Sequence, residues 1–98
     1  MKTVIVRYTV KPDKSEENQG LIKKVFEQLA HENPNGLKYM STVSEDGLNF
    51  THIAMLENAD DNPLGRTEAF KVFTAEIKER CQVPPQAINV EVVGSYGF

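Results

Sequence analysis

The segment Lys2-Thr3-Val4-Ile5-Val6-Arg7-Tyr8-Thr9-Val10 most constrains what this chain can fold into. Its β-branched and aromatic residues read as a strand, closed by Lys11-Pro12-Asp13. Val4, Val6, Tyr8 and Val10 fall on one face, and Thr3, Ile5, Arg7 and Thr9 on the other. Neither set is plainly a solvent face, so the strand expects cover on both sides. Only two helical patterns follow it, enough to cover one face of a sheet. A second copy of the chain is the natural cover for the other.

Length and composition fit that picture. Ninety-eight residues with 40% hydrophobic content make a single domain spanning residues 1–98, small enough that burial by dimerisation helps. The net charge of -3, with Lys and Arg scattered rather than in a stripe, argues against nucleic acid as a partner. The one cysteine, Cys81, excludes an internal disulfide framework and, having no second cysteine near it, gives no metal-ligand spacing. A reducing, cytoplasmic location is the expectation. The N-terminal apolar run is broken by Arg7, so no signal peptide is read. No apolar stretch approaches the roughly 18 residues a membrane span needs, so a soluble protein without a membrane partner is expected.

After the first strand, Asp13 and Ser15 compete as helix N-caps, Asp13 with Glu16 resembling a capping box. Leu21, Ile22, Val25, Phe26 and Leu29 recur at helical spacing and form one apolar stripe. Asn33-Pro34-Asn35-Gly36 then ends the helix. Residues 37–44 and 48–57 flank Glu45-Asp46-Gly47, a hairpin signal. With Asp46-Gly47 as a two-residue turn, Val43 faces Phe50, Ser41 faces His52, Tyr39 faces Ala54 and Leu37 faces Leu56. All eight share one side of the hairpin. Lys38, Met40, Thr42, Thr51, Ile53 and Met55 share the other.

Asn62-Pro63 is read as opening a short turn ahead of a second helix, whose stripe is Phe70, Phe73, Ile77 and Cys81, and Val83-Pro84-Pro85 stops it. Residues 87–93 read as a last strand, followed by a tail with Tyr96 and Phe98 placed to dock. The order strand, helix, strand, strand, helix, strand gives an α+β fold. With right-handed crossovers it is the ferredoxin-like split βαβ sandwich, a four-stranded antiparallel sheet with both helices on one face.

The residues resemble the antibiotic biosynthesis monooxygenase-like family of the dimeric α+β barrel superfamily. The resemblance rests on Val6-Arg7-Tyr8-Thr9-Val10-Lys11-Pro12-Asp13 at the end of strand one, on Gly36-Leu37-Lys38-Tyr39 opening strand two, and on Phe50 followed by Met55-Leu56-Glu57. It implies a homodimer whose sheets pack into a barrel, and an activity like that of cofactor-free oxygenases, in which a substrate carbanion reacts with oxygen without metal or flavin. No cofactor or metal is therefore expected. Departures are plain: the family's frequent tryptophan falls on Leu56, the acid two residues before it on Ala54, and the asparagine of the haem-degrading branch on Val6. Helix two has no histidine to ligate iron, which speaks against haem degradation.

Two assignments of the sheet faces compete. The family's tryptophan position implies that the face holding Leu56, His52, Phe50, Ser41 and Tyr39, with Val6 and Tyr8, lines the barrel. Hydrophobic bookkeeping instead tucks that more apolar set under the helices. The first is preferred here, because hydroxyl and imidazole groups on an apolar wall suit a ligand cavity.

On that face His52 is the candidate base, imidazole being suited to proton abstraction near neutral pH; the alternative is a buried neutral histidine bonded to Ser41 across the hairpin. Tyr8, Tyr39 and Ser41 are placed to orient a substrate or stabilise its anion, and Val6, Phe50 and Leu56 to form an apolar wall. Ser41 lacks an acidic orienter behind His52 and is a weak nucleophile candidate. Arg7 is set to pair with Glu91, His31 to sit at a helix C-terminus, and Asp60-Asp61 to be solvated. Two functions are carried forward: an enzyme acting on a small aromatic or enolisable molecule in an apolar barrel pocket, and a non-catalytic ligand-binding or assembly module.

Overall fold

The computed structural model describes all of residues 1–98. Strands β1 (Lys2–Val10), β2 (Leu37–Val43), β3 (Asn49–Leu56) and β4 (Cys81–Val90) form one antiparallel sheet in the order β2-β3-β1-β4. Helix α1 (Ser15–Glu32) joins β1 to β2; α2 (Pro63–Arg66), α3 (Glu68–Ala75) and α4 (Ile77–Arg80) join β3 to β4. This is the ferredoxin-like α+β sandwich. No helix is long and apolar enough to cross a membrane.

The hairpin register follows the sequence: Val43 pairs with Phe50, Ser41 with His52, Tyr39 with Ala54 and Leu37 with Leu56. The turn itself differs. Gly47 alone takes a positive φ of 77°, Gly47 N–H donates to the Ser44 carbonyl, and Asp46 Oδ1 accepts from Leu48 N–H. A longer loop thus replaces the two-residue turn without moving the register.

Helix α1 buries Ile22 and Val25 from its stripe, and Asn33 ends it in the left-handed region, bonding the Leu29 carbonyl at 2.7 Å. Its start is not a side-chain cap. A 3-10 turn over Pro12–Lys14 feeds straight into the helix, and Ser15 Oγ is spent donating to the Gly47 carbonyl at 2.6 Å. That bond ties the helix to the hairpin.

The one helix expected after the short turn at Asn62-Pro63 is divided at Glu76 into α3 and α4. Asn62 caps the four-residue α2, the short turn expected ahead of the second helix, and Thr67 separates it from α3, accepting from Phe70 N–H and donating to the Leu64 carbonyl. Cys81 belongs to β4, not to a helix, and β4 runs from Cys81 to Val90 rather than over 87–93. Pro84 and Pro85 did not stop a helix; they lie where two residues oppose one, between the Arg7–Gln86 and Thr9–Val83 pairs. A bulge on an edge strand tolerates missing N–H donors. Arg7 is exposed opposite Gln86, and Glu91 lies beyond the strand, so their expected pairing does not form; the single ion pair is Arg66 with Asp61.

The core decides the sheet faces. Tyr8, Val10 and Phe50 pack with Ile22 and Val25 of α1, Leu64 of α2 and Phe73 of α3, with Val6, Tyr39 and Phe70 against them. The set holding His52 therefore faces the helices, and its assignment to a barrel wall is corrected. The physical reason is area: Tyr8, Phe50 and Leu56 bring more apolar surface than Thr3, Arg7 and Thr9, and the helices cover the side where burial gains most. The opposite face, with Ile5, Met40, Ile53, Met55 and Ile88, carries no helix. Met40 and Ile88 are 40% and 50% exposed there. The tail returns to this face, where Lys38 Nζ donates to the Phe98 carbonyl and lies 5.4 Å from the Phe98 ring; Tyr96 is exposed.

Candidate functional site

Between the sheet and α2 to α4 lies a cavity of about 290 Å³. Val4, Val6, Ala54 and Leu56 form its floor, and Leu64, Phe70, Phe73 and Ile77 its roof. Tyr8, Tyr39, His52, Asn62 and Thr74 supply polar atoms on this largely apolar wall. Of the residues singled out from sequence, His52, Tyr8, Tyr39, Val6 and Leu56 meet here, whereas Ser41 and Phe50 line a wider groove of about 620 Å³ between α1 and the edge strand β2. That groove is larger but holds no histidine. His52, Tyr8 and Tyr39 line the smaller cavity.

His52 is buried, at 4% exposure, and all its ring hydrogen-bonding capacity is engaged. Nε2 lies 2.7 Å from Tyr8 Oη; Nδ1 lies 2.5 Å from Tyr39 Oη and 2.8 Å from Ser41 Oγ. Behind Tyr8, Asn18 Nδ2 donates to Tyr8 Oη at 2.9 Å, and Arg80 Nε donates to Asn18 Oδ1 at 3.0 Å. A second Arg80 nitrogen donates to the Phe73 carbonyl at 2.6 Å. No buried side-chain nitrogen or oxygen is left without a partner.

These bonds have a direction. An arginine N–H can only donate, so the Asn18 atom it meets is the carbonyl oxygen and the amide N–H₂ faces Tyr8. Tyr8 Oη accepts that N–H and its single hydrogen goes to His52 Nε2. A neutral His52 then carries its proton on Nδ1, which donates toward Tyr39 and Ser41. Ser41 is an acceptor in this arrangement and is not activated as a nucleophile. Tyr39 Oη and Ser41 Oγ meet at Nδ1 and are also hydrogen-bonded to each other.

Burial sets the protonation states. It pulls the His52 pKa down to about 4, pushes Tyr39 up to about 12, and pushes Tyr8 up further against the opposing Asn18 hydrogen bond. Cys81, beside Arg80, is also raised by burial. Near pH 7 the imidazole and both phenols are neutral, and Arg80, 3% exposed, is the one formal charge on the chain of bonds.

The sequence reading paired Ser41 with His52 and grouped the tyrosines with them, because the hairpin register carried that information. It missed Asn18 and Arg80. Their signal was present: Asn18 stands four residues before Ile22, and Arg80 continues the Phe73, Ile77 spacing, so both are polar residues at positions of an apolar stripe. Phe70 and Phe73, read as plain core, also roof the cavity.

No family model matches the sequence, and no curated protein matches it. Solved structures do match over nearly the whole chain. A crystal structure of an antibiotic biosynthesis monooxygenase is 21% identical, with a TM-score of 0.77, covering 96% of this chain and 100% of that one. Rv0793 from Mycobacterium tuberculosis is 16% identical, with a TM-score of 0.74 and 96% coverage of both chains. PA3566 from Pseudomonas aeruginosa is 17% identical, with a TM-score of 0.76, covering 95% of this chain and 94% of that one. The likeness is one of fold: this chain has the ferredoxin-like α+β fold that these proteins, an antibiotic biosynthesis monooxygenase among them, share.

Proposed function

We propose that this chain is a small-molecule enzyme of the cofactor-free, antibiotic biosynthesis-type monooxygenase class, acting as a homodimer on an aromatic or enolisable molecule held between sheet and helices. The observation that carries this reading is the cavity of about 290 Å³ whose largely apolar wall carries Tyr8, Tyr39 and His52. Its size suits one or two fused rings. The fold shared with an antibiotic biosynthesis monooxygenase supports the reaction class. In this reading Val6, Leu56 and Phe73 pack the ring system, Tyr39 meets a ring oxygen, and Tyr8 and Ser41 hold His52 in place. His52 serves the substrate through Tyr39 rather than as a free base, since both its nitrogens are engaged and its pKa lies near 4.

That low basicity favours one second reading, a non-catalytic binder of the same ligand class. Thermal shift with nitrobenzene and a two-ring phenol tests the shared part. Both ligands are expected to raise Tm in the parent and not in Ala54→Leu, which fills the cavity. No shift in the parent overturns both readings. Ligand-dependent oxygen uptake then supports the enzyme, and binding without uptake supports the binder.

A further inference from the structure

The register of the sheet divides its open face into zones. Met40, Ile53, Ile5 and Ile88 lie side by side across all four strands, and beside them runs a polar row, Thr42, Thr51, Arg7 and Gln86, then the pair Asn49 and Thr9. Directly opposed side chains in a sheet stand roughly 5 Å apart, so Thr51 and Gln86 flank Arg7 at contact range. The bulge in β4 takes Pro84 out of the ladder, and a pocket of about 180 Å³ opens there, lined on the open face by Arg7, Thr9, Asn49, Thr51 and Gln86. Donors in this pocket lack acceptors. The Thr9 hydroxyl donates to Asn49 Oδ1 at 2.7 Å, which leaves the Asn49 amide N–H₂ without a partner. Thr42 bonds the Thr51 backbone carbonyl and not its hydroxyl, and the Arg7 guanidinium and Gln86 amide are unpaired, the one ion pair being Arg66 with Asp61. No strand residue of this face is acidic, and its other cation, Lys38, is engaged by Phe98. A guanidinium ringed by neutral donors suits an oxyanion, which takes two charge-assisted bonds from the guanidinium and uses its remaining lone pairs on hydroxyl and amide.

We propose that this pocket binds a small oxyanion, the carboxylate or phosphate of a small molecule, on Arg7, with Thr51, Asn49 and Gln86 as the neutral donors. The site lies on the opposite side of the sheet from the cavity under the helices and is independent of what that cavity holds. It bears on association of the chain with itself. A two-fold interface brings the same face from each copy, so no strand residue of a second copy's face offers Arg7 an acid. Covering Arg7 without a counter-charge is costly, so a bound oxyanion and a face-to-face dimer favour each other. This linkage rests on the homodimer reading; the site itself does not.

The test follows the side-chain NMR signals of Arg7 Nε–H, Asn49 and Gln86 in the full chain at neutral pH, as sodium phosphate or sodium acetate replaces sodium chloride at constant ionic strength. Saturable shifts are expected with at least one of the two anions, and the tighter of them tells a phosphate site from a carboxylate site. Arg7 is exposed, so Arg7→Gln leaves the core untouched, and it is expected to weaken binding about tenfold or more. Unsaturated shifts with both anions, or saturation equally tight in Arg7→Gln, overturn the site. Sedimentation equilibrium on the same samples tests the linkage. The saturating anion is expected to strengthen the parent dimer about threefold or more and to leave the Arg7→Gln dimer unmoved. A parent dimer indifferent to the anion, a parent that stays monomeric, or an Arg7→Gln dimer weaker than the parent's in chloride overturns the linkage, while saturable binding keeps the site.

Discussion

At His52 the site's chemistry and the fold's stability meet in one proton. The unfolded chain binds that proton with a pKa near 6.5, the folded chain only near 4, because the buried ring resists charge. Within that window unfolding takes up a proton. The stabilisation is therefore fully present above about pH 6.5 and is lost as pH falls toward 4, to a total on the order of 3 kcal/mol. Denaturant melts of the parent between these pH values are expected to show the slope, and His52→Gln to remove most of it; equal slopes would contradict the burial of a neutral ring. The contact of His52 with Ser41 was legible in the sequence, because a hairpin with one buried face has one tenable register. Asn18 and Arg80 were not, since an apolar stripe says which positions are buried and not what a polar residue there will find to bond.

Among the elements, the β2–β3 hairpin and the start of α1 act as one unit. Ser15 Oγ donates to the Gly47 carbonyl, and a Cβ built on Gly47 lies 3.2 Å from that same Ser15 oxygen. With φ at 77°, Gly47→Ala is expected to cost about 1–2 kcal/mol from backbone strain and to crowd Ser15, seen as a lower Tm. An unchanged Tm would mean that the loop relaxes freely. The sequence placed this hairpin and helix α1 through their periods of two and 3.6 residues. It misplaced the start of β4, because a double proline reads as a stop when its pairing partner is unknown. The Tyr8 bulge that admits Pro84 and Pro85 exists only once β1 and β4 lie side by side. The breaks at Thr67 and Glu76 are likewise not visible in the apolar periodicity, which runs through them.

For the whole molecule, β1 had no water-facing side in sequence, and the fold covers one of its faces only. Ile5, Met40, Ile53, Met55 and Ile88 share a sheet face that no helix covers, and face-to-face dimerisation is the proposal that buries it. Ile53→Lys, a central position on that face, is expected to turn a dimer into a monomer in size-exclusion chromatography while leaving the cavity residues in place. A monomeric parent at micromolar concentration would remove the dimer from the account. Which face lies under the helices was the open question of the sequence, because polar groups suit either a cavity or a satisfied core. The structure joins the two answers: His52 is under the helices, and a cavity lies there with it.

Methyl-resolved NMR during titration with nitrobenzene distinguishes a ligand under the helices from one on the open sheet face. Chemical-shift changes are expected at Val6, Leu56 and Leu64, which line the cavity, with Met40, Ile53 and Met55 on the open face unmoved. Shifts confined to Met40, Ile53 and Met55 would put the ligand in the barrel between two copies and contradict a site under the helices.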